Sequence, residues 1–315
     1  MFYRICGFTI QSDIPLTELP YTDCKRADYK FNLITERRVF IEPINWFHHW
    51  RTPDGHTWLS FANLEGDYLL RFPDIADFII PSSGGEIQCH LVSSAPLETI
   101  RHLLIDQVFP LFLSHHGFLV LHASSIATPE GAIVFLGITG MGKSTLAASF
   151  SLEGYPILTD DYFILDSIDG QLCVTPSYPS VRLWDDSISS VFKHRPSTSG
   201  VAHYTNKKRL TINNGELLFY QESVRLHRVY CIGYKDNEYD GCDVIIEPIS
   251  ARDAFIEMAT ATFKLDIFHQ GTLVKEFRKL DQISRSPIFY QLSFLRDFDF
   301  LPTVRRVIID HIRSE

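Results

Sequence analysis

The sequence is short of several things, and each shortage excludes a class of protein. Cysteine is sparse: six residues in 315, at Cys6, Cys24, Cys89, Cys173, Cys231 and Cys242, with no C-x-x-C pair. Secreted disulfide scaffolds are shorter and far denser in cysteine, so reduced thiols and a cytoplasmic location are expected. Zinc-finger spacing is missing too. The adjacent pairs His48-His49 and His115-His116 lack the i, i+4 spacing of a helical metal site. Basic residues are the minority, 29 Lys and Arg against 38 Asp and Glu, for a net charge of −9. That balance argues against nucleic acid as a partner. There is no long apolar run. The greasiest stretch, Val108 to Ala123, is broken by Pro110, His115 and His116 and falls short of the roughly 20 residues a spanning helix needs. The opening residues hold Arg4 but neither an apolar core segment nor a small-residue cleavage site, so no targeting segment and no membrane partner are expected. Repeats and low-complexity runs are absent as well. Apolar residues at 45 % and charged residues at 21 % are the usage of a chain that packs cores.

What is present divides in two, in line with about 150 residues per domain. Residues 1–95 predict short strands: Phe2 to Ile10, Phe31 to Ile34, Val39 to Ile44, Trp58 to Phe61 and Tyr68 to Phe72, separated by Pro, Gly and Asp. The aromatic cluster Trp46-Phe47-His48-His49-Trp50 falls inside this β-rich region and reads as core or hairpin packing. At 96–114 the period changes. Leu97, Ile100, Leu104, Val108 and Leu111 recur at helical spacing, as in a connecting helix. Beyond residue 115 strands alternate with helices. Strands are expected at Phe118 to His122, Ala132 to Leu136, Tyr155 to Leu158, after Asp161, and at Val224 to Cys231, Val244 to Pro248 and Ile288 to Phe294. Helices are expected at Lys143 to Leu152, from Ser250 to about Phe263, around Phe277, Leu280 and Ile283, and along Leu301 to Ile312. The fold class expected is therefore α/β over 115–315, preceded by a small β-rich domain.

The strongest chemical signal is Gly137-Ile138-Thr139-Gly140-Met141-Gly142-Lys143-Ser144-Thr145, which fits G-x-x-x-x-G-K-[ST]. Glycines let the backbone wrap phosphates closely with N–H groups inward, and the following helix adds its positive end. Lys143 would reach the β- and γ-phosphates, and the Ser144 hydroxyl would ligate Mg²⁺. A buried strand runs in and a helix-forming run leads out, as this motif requires. Gly137, Thr139 to Gly142, Lys143, Ser144 and Thr145 are thus the nucleotide-binding candidates. Asp160-Asp161 follows an apolar stretch, at a strand's C-terminal end where open α/β sheets bind ligands. One carboxylate would hold Mg²⁺, directly or through water, and the other would accept a hydroxyl proton; either aspartate suits either role, with Asp161 the first choice as base and Asp160 then the metal ligand. Alone, a pair of acids reads as a solvated turn; the glycine-rich motif just upstream changes that. His122, alone, reads as a packed strand-end residue. Arg182 suits either a phosphoryl group or a carboxylate, with a salt bridge to Asp185 or Asp186 as the plain alternative. Lys207-Lys208-Arg209 is a compact basic cluster, able to anchor phosphate or to sit in solvent.

His122, Lys143 and the pair Asp160-Asp161, in this order and spacing, resemble the catalytic domain of the HPr serine kinase/phosphorylase family. The resemblance is close over residues 115 to 170 and loose beyond. It implies a P-loop fold related to phosphoenolpyruvate carboxykinases, ATP and Mg²⁺ as cofactors, and phosphorylation of a serine hydroxyl. It implies that His122 and one of the two aspartates handle the proton, while Lys143 and Ser144 handle phosphates and metal. In place of that family's glutamate-containing signature stands Pro176-Ser-Tyr-Pro-Ser-Val-Arg182-Leu-Trp184, which puts a phosphorylase activity in doubt. The opening Tyr3 to Leu16 and the Arg182-Leu-Trp184 segment are similar to HPr-kinase-related proteins encoded with lasso-peptide genes. That branch implies a precursor peptide ending in serine as partner, and the wider family a possible homo-oligomer. Competing expectations are a serine kinase of an HPr-like protein or of a small hydroxyl metabolite, and a non-catalytic ATP-binding regulatory module.

Overall fold

The computed structural model describes residues 1–35, 44–92, 94–212, 215–233 and 243–314. The strand expected over Val39 to Ile44 falls, but for Ile44, outside the described residues, as does Cys242. The chain is mixed α/β with several sheets. It divides into two compact units, Met1–Phe112 with Ala202–Tyr204, and Leu113–Val201 with Thr205–Glu315.

The first unit holds β1 (Phe2–Ile5), β2 (Phe8–Ser12), β3 (Tyr29–Ile34), β4 (Trp46–Arg51), β5 (Thr57–Leu64), β6 (Asp67–Phe72), β7 (Ala76–Ile80) and β8 (Glu86–Leu91). They form one sheet in the order β1-β2-β3-β8-β7-β6-β5-β4. The single strand expected over Phe2 to Ile10 is instead a hairpin. Cys6 (φ 51°) and Gly7 (φ 79°) both enter the left-handed region, the two-residue turn that matches the right-handed twist of flanking strands. The Trp46 to Trp50 cluster is the edge strand β4; the rings of Phe47, His48 and Trp50 lie 6.2, 5.5 and 5.2 Å from that of buried Phe61. The helical stretch is α1 (Leu97–Leu103), a π turn over Leu104–Val108, and α2 (Phe109–His115). Pro110 explains the break: it has no N–H for the carbonyl four residues back, and its ring crowds that carbonyl, so the preceding turn widens. Of the expected stripe, Ile100, Leu104, Val108 and Leu111 are buried and Leu97 is exposed.

The second unit begins with β9 (Leu119–Leu121), β10 (Ser124–Thr128), β11 (Gly131–Leu136), α3 (Lys143–Ser151), β12 (Ile157–Thr159), β13 (Phe163–Ile168) and β14 (Gln171–Thr175). There follow β15 (Ser180–Leu183), α4 (Asp185–Val191), β16 (Ser199–Gly200), β17 (Lys208–Thr211) and β18 (Val224–Ile232). The unit ends with β19 (Ile245–Pro248), α5 (Ala251–Ala261), α6 (Gln270–Ser284), β20 (Phe289–Ser293) and α7 (Leu301–Arg313). A nine-stranded sheet runs β12-β10-β11-β18-β14-β13-β9, with β20 paired to β18 and β19 to β20. Strands β11, β18 and β20 are mutually parallel. β12 points the same way, because it and β11 are both antiparallel to β10. Four strands therefore end on one edge.

β11 is buried along its whole length, as expected of a central parallel strand. Ile133 and Phe135 pack on one face in a cluster with Leu146 and Phe150 of α3 and Val304 and Ile308 of α7. Ala132, Val134 and Leu136 pack on the other with Met258 of α5 and Leu280 and Ile283 of α6. Helices thus cover both faces, and the helix start expected at Ser250 holds: its hydroxyl accepts from the Asp253 N–H at 3.1 Å. A separate three-stranded sheet, β15-β17-β16, stands beside this core.

Candidate active site

The glycine-rich loop leaves β11 and enters α3 at the edge where the parallel strands end. Gly137 (φ 142°) is pressed against the end of β18, since a Cβ there would lie 2.8 Å from the Ile232 carbonyl oxygen. Gly140 (φ 90°) and Gly142 (φ 88°) are different: nothing lies within 4 Å of where a Cβ would be. The loop is therefore tight at its root and open along its rim. Thr139 and Gly140 are exposed, while Met141 packs against the core under α3. Gly142 starts the helix in the left-handed conformation with no side-chain cap, so its first N–H groups are left for a ligand. Thr145 reaches back to Ser187 of α4, Oγ1 to Oγ 3.1 Å.

Lys143 is 6 % exposed. Its ammonium donates to the carbonyls of Gly137 at 2.6 Å and Ile138 at 3.1 Å. Burial lowers its pKa; the charge of Asp160 opposes that and the charge of Lys207 adds to it. Asp160 and Asp161 directly follow β12 and are 3 % and 6 % exposed. Asp160 accepts from the Arg182 backbone N–H at 2.8 Å and from Ser124 Oγ at 3.0 Å, and Ser144 hydrogen-bonds it as well. Burial first, and the neighbouring Asp161 charge second, push the Asp160 carboxyl above the usual range. One oxygen of Asp161 is held by the Arg182 guanidinium, with Nε at 3.0 Å. Its other oxygen, Oδ2, is buried and accepts nothing. His122 follows β9, whose antiparallel register (Leu121 opposite Phe163) carries it to the Asp160-Asp161 corner. There it bonds the Asp161 carbonyl, and burial with the charge of Lys143 lowers its pKa to about 4. At neutral pH the imidazole is uncharged, donating one N–H with the other nitrogen able to accept.

The structure thus brings His122, Lys143, Ser144, Asp160, Asp161 and Arg182 to one place, from four separate segments. Arg182 turns to Asp161 and not to Asp185, whose oxygen is taken by Arg195. Three further participants had weak or no signal in the sequence. Ser124 braces Asp160 through both its carbonyl (2.9 Å) and its carboxylate, yet a serine opening a strand carries no pattern. Arg296, just past β20, donates to the Gly140 carbonyl at 2.5 Å; its position after a parallel strand was the available clue. Lys207 belongs to the basic cluster already noted.

The donor set fits a divalent cation. A hydroxyl (Ser144) and a carboxylate (Asp160) already touch, and hard cations take oxygen ligands, usually few from protein and the rest from phosphate and water. The unsatisfied Asp161 Oδ2 fits a hydroxyl proton donor. Among the described residues no group of three or more His, Cys, Asp or Glu forms a metal cluster, and no helix is long and apolar enough to cross a membrane. The five described cysteines are free thiols.

No family profile matches the chain, and no curated protein does. Among solved structures it is similar to one described as an HPr(Ser) kinase/phosphatase from Coxiella burnetii. The identity is 11 % and the TM-score 0.24, over 52 % of this chain and 90 % of that one. An overlap this loose carries no argument, so the functional reading rests on the residues.

Proposed function

We propose that this chain is an ATP-dependent kinase with a P-loop fold that transfers the γ-phosphoryl group to a serine hydroxyl, in the presence of Mg²⁺. The observation that carries the reading is the buried Asp160-Asp161 pair, one acid bonded to Ser144 at the start of the loop helix and the other with an unsatisfied oxygen. A turn in solvent would not bury two adjacent carboxylates, given what burying charge costs.

In this reading the loop amides and Lys143 hold the triphosphate. Lys143 trades its two loop carbonyls for phosphate oxygens. Ser144 and Asp160 would hold Mg²⁺, which offsets phosphate charge when bound. Asp161 Oδ2 takes the acceptor's hydroxyl proton while Arg182 fixes that carboxylate in place. Neutral His122 orients the corner through the Asp161 carbonyl. Catalysis of this kind is chiefly positioning and charge stabilisation.

The acceptor we propose is a peptide ending in serine, on the resemblance of the opening segment and of Arg182-Leu-Trp184. The test is intact-mass spectrometry of a serine-ended peptide incubated with protein, ATP and Mg²⁺, beside an alanine-ended control. One phosphate gained on the serine peptide alone is the expected result, and Lys143→Ala abolishes it while circular dichroism stays unchanged. No gain, with ATP shown to bind, would reject the peptide acceptor and leave a protein or metabolite hydroxyl. Full transfer by Lys143→Ala would reject the site.

A further inference from the structure

We infer that Lys207 is a further catalytic residue: it grips the γ-phosphoryl of a nucleoside triphosphate, and it rests on the Trp184 ring when none is bound. This rests on the phosphotransfer reading above.

Strand register supplies the placement. β15 and β17 pair antiparallel, Arg182 opposite Arg209 and Leu183 opposite Lys208. The next position along the ladder sets Lys207 across from Trp184. Its ammonium lies over the indole, 5.5 Å from the ring centre, and Trp184 is 47 % exposed. A cation–π contact at so exposed a ring is worth only about 0.5–1 kcal/mol. It is a resting contact that a phosphate easily displaces.

Charge supplies the reason. Lys207 stands close enough to Lys143 for the two charges to act on one another, beside those of Asp160 and Asp161. Two ammoniums facing one site suit a polyanion such as a triphosphate, whose charge exceeds what the two carboxylates supply. Direction supplies the assignment to the γ group. The ladder that carries Lys207 also carries Arg182 to Asp161, so Lys207 comes from the side of the proton acceptor. Lys143 comes from the loop, on the leaving-group side, where it spans the β- and γ-phosphates. During transfer the bond from the γ-phosphorus to the β–γ bridging oxygen breaks and a bond to the acceptor oxygen forms. The hydroxyl proton passes to Asp161 and ADP leaves with the electron pair of the broken bond. Lys207 forms no covalent bond; it offsets charge on the γ-oxygens throughout.

The experiment is a fluorescence titration of the full chain with Mg²⁺–ATP and, separately, Mg²⁺–ADP. ATP is expected to change the indole emission and ADP to change it far less, with Trp184→Phe removing the difference. Lys207→Ala is expected to weaken ATP about 10- to 30-fold, as for one charge-assisted contact, with ADP affinity within about two-fold of wild type. Retained ADP binding shows that the variant is folded. Lys207→Arg, which keeps the charge, is expected to recover most of the ATP affinity. If Lys207→Ala weakens ATP and ADP equally, or neither, the inference is wrong while the kinase reading stands. If wild-type protein binds neither nucleotide, the kinase reading itself fails and takes this inference with it.

Discussion

At the residue scale the site is an arrangement of buried charges that hold one another in place. Asp161 and Arg182 are both largely buried, with side-chain exposures of 8 % and 12 %. Removing one partner of such a pair strands the other charge, which typically costs about 3–5 kcal/mol. Arg182→Ala is therefore expected to lower stability by about 3 kcal/mol in urea unfolding. Adding Asp161→Asn to it should restore a good part of that loss. His122 gives the pH dependence. Its folded pKa, about 4, lies below the 6.5 of an unperturbed imidazole. The folded state excludes a proton that the unfolded chain accepts, so this contribution is intact above pH 6.5 and is lost as pH falls from 6.5 towards 4. The imidazole is half-buried, so the expected loss is about 2 kcal/mol across that window. His122→Asn should flatten the stability–pH slope there; an unchanged slope would show that the proton is taken up elsewhere.

At the element scale the glycine loop separates fold from ligand. At Gly137 a new Cβ would press on the Ile232 backbone and force β11 from β18. Gly140 and Gly142 face open space, so an alanine there meets only left-handed strain of roughly 1–2 kcal/mol. Thermal melts should show Gly137→Ala the most damaging of the three, while Gly140→Ala keeps its fold and loses nucleotide affinity. Much of this scale was legible in the sequence. The motif from Gly137 to Thr145, the apolar strand before it and the capping serine at 250 each carry a local pattern. What was not legible has physical reasons. Strands β7, β15 and β17 are short and nearly all apolar or interrupted by charge, so no period marks them. The break between α1 and α2 follows from one proline inside an otherwise continuous stripe. The partner of Arg182 is set by tertiary placement after β12, not by the nearer Asp185 and Asp186 in the chain.

At the scale of the molecule, an α/β unit places the ends of β11, β12, β18 and β20 on one edge, and the loop, the acid pair and Arg296 all issue from that edge. Ligand binding there should report on the whole unit. With Mg²⁺–ATP at a hundred times its dissociation constant, mass action adds about 2.7 kcal/mol. That should appear as a rise of a few degrees in melting temperature, with no rise in Lys143→Ala. The β-rich unit carries none of the six residues brought together at the acid pair. The central claim is that Asp161 takes the acceptor's proton at a site that holds ATP without it. The most direct test is single-turnover transfer from ATP to a serine-ended peptide, comparing wild type with Asp161→Asn. The account predicts one phosphopeptide per ADP in the wild type, and at least a hundred-fold slower transfer in Asp161→Asn with ATP binding retained. Transfer by Asp161→Asn at the wild-type rate would contradict it.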